Sequence, residues 1–373
     1  MNDPNKSQAE LPVITPTEVM DLIDGASGEV AEVSKETQPL REIILNKDRS
    51  LEERLEAYED IIDSQVGDTA LMRARNIERE VGIRQIFLKF EGSNPSGTQK
   101  DRIAFGQSMD ALRRGFDAIT VATCGNYGVA IALAASLAGL ECIIYIPETY
   151  HTTRVKEMTD LGAEIRRVPG DYERAVEISS ELAEKENIYD ANPGGVNTPL
   201  QLKKYGQIAH EIYDELRDAP RVVAAPVSNG TTLAGIYKGF LSLYRRGKIS
   251  HMPRVVAGSS HGKNPIVYAY MNHLPTCTDL KSTKIRETKI NEPLINWHSL
   301  DGDYVLEAIR KTNGWAEYAS DKKMLSFAKL IREREGLDVV PASTAGLIAL
   351  VEKHKKEPLH QDRYVVILTG RKA

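Results

Sequence analysis

Lys100 is the residue of this chain whose surroundings best suit chemistry. An apolar strand pattern over 85–90 runs into an Asn-Pro-Ser-Gly turn, and Lys100 then lies where a helix could begin, with Ser96 or Thr98 as its cap. An amine attacks a carbonyl at neutral pH only after it loses its proton, which requires a desolvated and preorganised setting. The alternative is that Lys100 is a solvated lysine on a surface helix. A reactive lysine would be accompanied by other ligand-binding segments farther along the chain.

Three such segments follow predicted strands, and ligands collect at the carboxyl ends of parallel strands. In loop 122–128, glycines permit close backbone approach, and helix-start amides can hold a carboxylate. Loop 226–235 is rich in hydroxyls, and its free amides and helix dipole suit a phosphate. Thr369 places a hydroxyl at the end of the last core strand. Without a ligand, loop 122–128 would be an ordinary packed turn, loop 226–235 an ordinary helix cap, and Thr369 a surface threonine.

Strands and helices alternate after residue 50, where Ser50 and Glu53 form a capping box ahead of an amphipathic helix. Strands are predicted at 85–90, 117–123, 141–146, 164–168, 221–226, 254–258 and 364–369. Helices are predicted at 127–138, 153–161, 172–185, 231–246, 322–334 and 344–354. The alternation predicts βαβ units and a parallel sheet. Residues 1–45 predict an extension that packs late or stays mobile.

Composition narrows the class of protein. The 373 residues suit two unequal lobes, and a net charge of −5 argues against nucleic-acid binding. Three widely spaced cysteines without C-x-x-C predict neither a disulfide framework nor a metal site. Residues 1–10 lack a signal-peptide pattern, and the longest apolar stretch, 129–140, is too short to span a bilayer. We therefore expect a soluble, cytoplasmic protein without nucleic-acid or membrane partners.

The run K-F-E-G-S-N-P-S-G-T-Q-K-D-R at 89–102 resembles the lysine segment of β-family (fold-type II) pyridoxal-phosphate enzymes. The resemblance extends over residues 64–370, and the L-T-G ending at 368–370 is similar to threonine synthases. Further similar runs are G-D-T-A-L at 67–71, K-G-F at 238–240 and P-A-S-T-A-G at 341–346. The resemblance implies an α/β, tryptophan synthase β-like fold with two lobes, each a mainly parallel sheet flanked by helices.

The same resemblance implies a domain division and an assembly. Residues 1–50 would be an N-terminal extension, and 51–100 together with 171–373 a large cofactor-binding domain. Residues 101–170 would form a small substrate-capping domain. The habit of the family leads us to expect a homodimer.

The resemblance also assigns roles around pyridoxal 5'-phosphate. Lys100 would be the catalytic Schiff-base lysine, and Asn126 would contact the ring hydroxyl oxygen of the cofactor. A neutral Thr369 beside the pyridine nitrogen gives a milder electron sink than a carboxylate, which in this family favours elimination and replacement. The cofactor phosphate is assigned Ser228, Asn229, Gly230, Thr231 and Thr232. The substrate is assigned Thr123, Cys124, Gly125 and Tyr127.

The reaction implied first is that of threonine synthases in amino-acid biosynthesis, from O-phospho-L-homoserine and water to L-threonine and phosphate. Several segments depart from that pattern, among them Tyr127 where threonine synthases usually have threonine. The runs K-D-R-I and G-N-x-G resemble cysteine and cystathionine synthases, so β-replacement on O-phosphoserine or O-acetylserine by a sulfur nucleophile, as in cysteine or cysteate synthases, stays open. A regulatory pseudoenzyme is the non-catalytic alternative, which the presence of Lys100 disfavours.

Overall fold

The computed structural model describes residues 37–123, 125–150 and 154–372, except for the side chain of Lys284. Internal contacts divide the chain into two compact units. The first unit contains Thr69–Gly92 and Gly206–Lys372. The second contains Ser93–Tyr205 and, from the segment before Thr69, residues 37–68. The predicted domain boundaries stay a prediction.

The regular elements are numbered along the chain. The strands are β1 (Leu71–Arg73), β2 (Ile86–Phe90), β3 (Ala118–Ala122), β4 (Glu141–Pro147), β5 (Glu164–Val168), β6 (Tyr189–Asp190), β7 (Val222–Pro226), β8 (Arg254–Ser260), β9 (Trp315–Ala319) and β10 (Tyr364–Leu368). The helices are α1 (Gln38–Leu45), α2 (Leu51–Gln65), α3 (Arg75–Val81), α4 (Lys100–Arg113), α5 (Asn126–Ala138), α6 (Val155–Asp160), α7 (Tyr172–Glu186), α8 (Thr198–Leu216), α9 (Thr231–Arg245), α10 (Pro265–Met271), α11 (Gly302–Lys311), α12 (Asp321–Glu335) and α13 (Ala345–Lys356).

The first unit is built on a six-stranded sheet in the order β1-β2-β10-β7-β8-β9. Strand β1 runs antiparallel to β2, and every other pair is parallel. Strands β7 and β10 are buried along their whole length, which explains their continuous apolar sequence. Helix α13 packs over β7 and β8. The approach is so close that only glycine fits at position 258, since a Cβ atom there would lie 2.0 Å from the Ala345 carbonyl oxygen.

The second unit is built on a four-stranded parallel sheet in the order β5-β4-β3-β6. Helix α5 is rich in alanine and almost entirely buried, so α4 can pack tightly against it. The α2 residue Tyr58 stacks on Phe105 of α4 and donates to the Ala134 carbonyl of α5 at 3.0 Å. This packing fixes the starts of α4 and α5, which carry the predicted site residues of this unit.

The predicted α/β class, with parallel sheets flanked by helices in both units, is confirmed. Each predicted strand has an observed counterpart, and the capping box of α2 forms, with Ser50 Oγ accepting from the Glu53 amide at 3.2 Å. The prediction missed α8, whose Gly206 permits close approach to Gly239. It also missed α1, where Ile44 is buried; residues 1–36 of the predicted extension lie outside the described residues.

The hydropathy of the helices bears on membrane insertion. Within 37–123, 125–150 and 154–372, no helix combines the length and the apolar character that a membrane span needs.

Candidate active site

Lys100 opens α4, and its backbone is held by a closed turn. The Gly97 amide donates to the Asn94 carbonyl at 2.8 Å, and Thr98 Oγ1 accepts from the Lys100 amide at 3.2 Å. Thr98 therefore satisfies the first amide of α4 from one position before the N-cap residue, Gln99, whose own side chain makes no cap bond. Ser96 instead donates from both its amide and its hydroxyl to the Asp101 carboxylate, each at 2.9 Å. These bonds fix the direction in which the lysine side chain leaves the helix.

The amine of Lys100 lies in a desolvated place. Burial lowers the pKa of Lys100 to about 8, and in the described part of the chain no carboxylate pairs with it. At pH 7 about one-tenth of the amines are then neutral, against fewer than about one in a thousand for an ordinary lysine. The Nζ atom lies 5.9 Å from the centroid of the Tyr127 ring. This setting is the one that the sequence required of a reactive amine.

The loop after β3 leads into α5. The Thr123 amide donates to the Tyr145 carbonyl at 3.1 Å, and Gly125 precedes the helix without a side-chain cap. The predicted substrate residue Cys124 lies outside the described residues. Because no described side chain caps α5, its first turn is suited to an anionic group.

Asn126, the first residue of α5, is oriented by an arginine that sequence reasoning missed. Its Oδ1 accepts a hydrogen bond from the Arg154 guanidinium, which also binds both carboxylate oxygens of Glu157, at 3.0 and 2.9 Å. With its oxygen engaged, the Asn126 amide presents its Nδ2 donor elsewhere. An acceptor such as a ring hydroxyl oxygen fits that donor.

Tyr127 turns its hydroxyl into the core of the second unit. The hydroxyl contacts Gln107 Oε1 and the Ala191 carbonyl, the latter at 2.9 Å. Gln107 in turn bonds the same carbonyl and accepts from Gln201 Nε2, both at 3.3 Å. Burial raises the pKa of Tyr127 well above its usual range, so the hydroxyl stays protonated. Its predicted substrate role is therefore limited to the ring and the backbone.

The predicted phosphate loop connects β7 to α9 in the first unit, and its carbonyl groups accept hydrogen bonds from neighbouring residues. Buried Asn264 donates from Nδ2 to the carbonyls of Val227 and Ser228, at 3.3 and 2.9 Å. The Asp301 amide donates to the Asn229 carbonyl at 3.0 Å. With the carbonyls held in this way, the loop is rigid, and its amides are left for another partner.

The amide groups of the loop are free within the described chain. No described residue accepts from the N–H groups of Ser228, Asn229, Gly230, Thr231 and Thr232. Helix α9 has 15 residues, and Gly230, at φ +92°, begins it without a side-chain cap. Unpaired amides at the start of a long helix form an anion site, because the helix dipole adds to their donors. This donor set fits a phosphate.

An aspartate stands next to the phosphate loop. Thr231 Oγ1 donates to Asp301 Oδ2 at 2.5 Å, so this hydroxyl is already engaged, unlike the backbone amides. Burial raises the pKa of Asp301, and the hydrogen bond from Thr231 offsets part of that rise. Sequence reasoning missed Asp301, which is 70 residues away from Thr231 and carries no local signal.

Hydroxyl groups collect where strands of the first unit end. Thr369, directly after β10, has its Oγ1 3.1 Å from Ser343 Oγ, which also accepts from the Gly370 amide at 3.1 Å. At the end of β8, the buried Ser260 hydroxyl has no hydrogen-bond partner among the described residues. A buried polar atom without a partner indicates a missing polar ligand or water. Sequence reasoning missed both serines; the place of Ser260 at the end of a strand was a usable signal, whereas Ser343 lies in the turn Pro341–Thr344.

Taken unit by unit, the structure offers the groups that pyridoxal 5'-phosphate needs. The second unit provides a desolvated amine for an aldehyde and an oriented amide donor. The first provides free backbone amides for a phosphate and neutral hydroxyls at strand ends. The chemistry of these donors fits the cofactor that the sequence implied.

Comparison with known proteins agrees with this chemistry. The model of the family described as pyridoxal-phosphate dependent enzyme matches residues 62–370. A threonine synthase of Methanocaldococcus jannaschii is 29% identical over 310 residues, covering 81% of this chain and 74% of the relative. A threonine synthase of Bacillus sp. (strain ULM1) is 30% identical over 306 residues, covering 82% of each. The maize serine racemase structure superposes with a TM-score of 0.70 at 18% identity, covering 86% of this chain and 92% of that one.

Proposed function

This chain belongs to the pyridoxal-phosphate dependent enzymes, and on that premise we propose that it is a threonine synthase, converting O-phospho-L-homoserine and water to L-threonine and phosphate. It is a threonine synthase-like lyase or synthase, its cofactor is pyridoxal 5'-phosphate, and its substrates are small amino acids. The observation that carries the proposal is the desolvated Lys100 amine in a chain about 30% identical to threonine synthases.

The residues take the following roles. Bound pyridoxal 5'-phosphate supplies an electron sink for charge that develops at the substrate α-carbon. Lys100 would hold the cofactor covalently, and its released amine would take the α-proton at Nζ, for which a pKa of about 8 is well matched to neutral pH. Asn126 Nδ2 would donate to the ring oxygen, and the uncharged Thr369 hydroxyl would face the ring nitrogen.

The anionic groups of cofactor and substrate are assigned to the two uncapped helix starts. The amides of Ser228, Asn229, Gly230, Thr231 and Thr232 would bind the cofactor phosphate. At the start of α5, Thr123, Gly125 and the Tyr127 backbone would bind the substrate carboxylate, with Cys124 between them in sequence. Backbone donors are rigid, so they orient the substrate at little entropic cost.

A second reaction is favoured by one specific observation. The Tyr127 ring stands beside the Lys100 amine where threonine synthases have a small hydroxyl residue, and its own hydroxyl points into the core. A bulky apolar wall suits a short substrate side chain. The alternative is therefore β-replacement on O-phosphoserine or O-acetylserine by a sulfur nucleophile.

Parallel assays separate the two reactions. Phosphate release is measured from O-phospho-L-homoserine and from O-phospho-L-serine, on protein shown by absorbance to hold the cofactor, with Lys100→Ala as the blank. Release from the homoserine ester with threonine as product supports the first reaction. Release from the serine ester alone overturns it and directs the assay to sulfide and sulfite. Silence with both esters removes the first reaction and the phosphoserine form of the second, and acetate release from O-acetylserine then tests the form that is left.

The remaining predictions stand as proposals. We propose a cytoplasmic homodimer, which light scattering and fractionation of cells test directly. The division into an extension (1–50), a large domain (51–100 and 171–373) and a small domain (101–170) is tested by limited proteolysis. Cuts inside the large domain that precede any cut near residues 50, 100 or 170 would contradict it.

A further inference from the structure

The contact between Lys100 and Tyr127 joins two helices of the second unit. Lys100 opens α4, Tyr127 is the second residue of α5, and the two helices pack along their length. The Lys100 Nζ atom stands over the face of the Tyr127 ring, 5.9 Å from its centroid. An ammonium over an aromatic face is attracted by the ring quadrupole, whereas a neutral amine gains little there.

The ring is held from behind. The Tyr127 hydroxyl bonds the Ala191 carbonyl at 2.9 Å and the Gln107 side chain, and Gln201 steadies Gln107 at 3.3 Å. Both glutamines are fully buried, which is unusual for this residue type unless its hydrogen bonds are satisfied. The network therefore fixes both the position and the tilt of the ring that faces the amine.

We propose that Tyr127 is a positioning residue for Lys100, with its ring holding the protonated amine in place and Gln107 and Gln201 holding the ring. The proposal rests on the proposed role of Lys100 as the base. After Nζ has taken a proton, the ring stabilises the new charge and keeps the ammonium from turning away. The proton then remains available for return to the substrate.

Two opposing effects act on the Lys100 amine. Burial disfavours the charged form and lowers the pKa of Lys100 to about 8. The Tyr127 ring favours the charged form, so it limits how far burial can lower that pKa. Removing the aromatic face while keeping the site apolar leaves burial unopposed. The amine should then lose its proton at a lower pH.

The test measures the protonation of Lys100 directly. The full chain is freed of cofactor by dialysis against hydroxylamine, which takes the aldehyde and releases the amine. It is then treated with a trace of an acylating reagent at a series of pH values, and labelling of the Lys100 peptide is measured by mass spectrometry. In the unaltered chain we expect a midpoint at about 8, because burial lowers the pKa of Lys100 to that value. Tyr127→Leu should lower it by about 0.5 to 1. Tyr127→Phe, which keeps the ring, should leave it unchanged.

Tyr145→Leu is the matched control. Tyr145 is equally buried in the second unit, and its ring also faces a cation, Arg166, at 5.9 Å, but it does not face Lys100. The Lys100 midpoint should stay in place in this variant. The proposal is overturned if Tyr127→Leu keeps or raises the midpoint, or if the control moves it equally.

A further variant keeps the test decisive if Tyr127→Leu does not fold. Gln107→Leu leaves the ring in place but removes one of its anchors, so the Lys100 midpoint should fall by less than in Tyr127→Leu. An unchanged midpoint in a folded Gln107→Leu protein overturns the role of the glutamine. Because labelling needs no substrate, its outcome is independent of whether the protein is a threonine synthase.

Discussion

Helices α4 and α9 both begin after a buried strand, yet the backbone amides of their first turns meet opposite fates. At α4, the amides of Lys100, Asp101 and Arg102 bond to Thr98 Oγ1, Thr98 O and Gln99 O, at 3.2, 3.3 and 3.2 Å. At α9, the amides of Thr231 and Thr232 bond to no described residue. The start of α4 has its amides hydrogen-bonded and offers the Lys100 side chain for chemistry. The start of α9 offers its backbone amides.

A strand-to-helix turn therefore has no fixed chemistry. At α4, Thr98 accepts from the first amide and holds the backbone that carries Lys100. Burial then lowers the pKa of the Lys100 amine to about 8. At α9, a glycine in the left-handed region and loop carbonyls bonded to Asn264 leave backbone amides that suit an anion. On the proposed roles, the α4 start would hold the aldehyde of the cofactor and the α9 start its phosphate.

The largest expected effect comes from removing the side chain at α4. Lys100→Ala should lower the rate of phosphate release by at least about a thousandfold, because it removes both the covalent link and the base. Lys185→Ala, an exposed lysine at the end of α7, is the control and should retain full activity. Substantial turnover by Lys100→Ala would show that the amine at α4 is not the reactive one.

A change at α9 tests the backbone half of the comparison. Gly230→Ala puts a side chain at φ +92°, with its Cβ 3.0 Å from Ile266 and Val305. Strain of about 1–2 kcal/mol in this conformation should weaken the binding of pyridoxal 5'-phosphate about tenfold in a fluorescence titration. Gly247→Ala has φ +65° and open space around the new Cβ, so it should destabilise the fold without weakening cofactor binding. Equal losses in both variants would remove the anion-site role.

The arginine behind Asn126 gives a smaller effect at α5. Arg154→Met frees Asn126 Oδ1, so the amide can turn and offer its oxygen to the cofactor ring. We expect a shifted absorbance maximum of the bound cofactor and a binding loss of severalfold, about 1 kcal/mol. Arg174→Met, which breaks only exposed pairs with Glu177 and Glu181, at 2.9 and 3.6 Å, should leave the spectrum unchanged. An identical spectrum in Arg154→Met would refute this orientation.

The smallest expected effect is a gain. Asp301→Asn removes a negative charge that lies one hydroxyl away from the α9 loop, so pyridoxal 5'-phosphate should bind a few-fold more tightly, about 0.5–1 kcal/mol. Because burial raises the pKa of Asp301, its charge is lost at a higher pH than for an exposed aspartate. The advantage of Asp301→Asn should therefore shrink as pH falls. Asp303→Asn is the control, since its carboxylate accepts from the Cys277 amide instead.

Local sequence patterns predicted what local forces determine. Strand β5 was predicted with its observed bounds, and Thr98 was predicted as a cap, because turn residues and alternating burial act over a few positions. Contacts between distant segments carried no such signal. The bond from Gln201 to Gln107 joins residues 94 positions apart, and Asn264 reaches the Ser228 carbonyl from 36 positions away.

Helix α8 was missed for a related reason. Pro199 and Gly206 lower its intrinsic helix propensity, yet proline is tolerated in a first helical turn. Gly206 lies where the α9 residue Gly239 comes so close that a Cβ atom there would lie 2.4 Å from the Gly206 carbonyl oxygen. Tertiary packing therefore outweighs the low helix propensity of this segment, and a single sequence does not reveal such packing.

Identifying the lysine that carries the cofactor shows directly whether the amine at the start of α4 is the reactive one. The holoenzyme is reduced with borohydride, digested, and mapped by mass spectrometry for the peptide that retains the pyridoxyl group. We predict a single labelled peptide, containing Lys100, and no retained label in Lys100→Ala. Label on another lysine, such as Lys204, or no covalent label in a protein that binds the cofactor, would contradict the claim that the desolvated amine at the start of α4 is the reactive one.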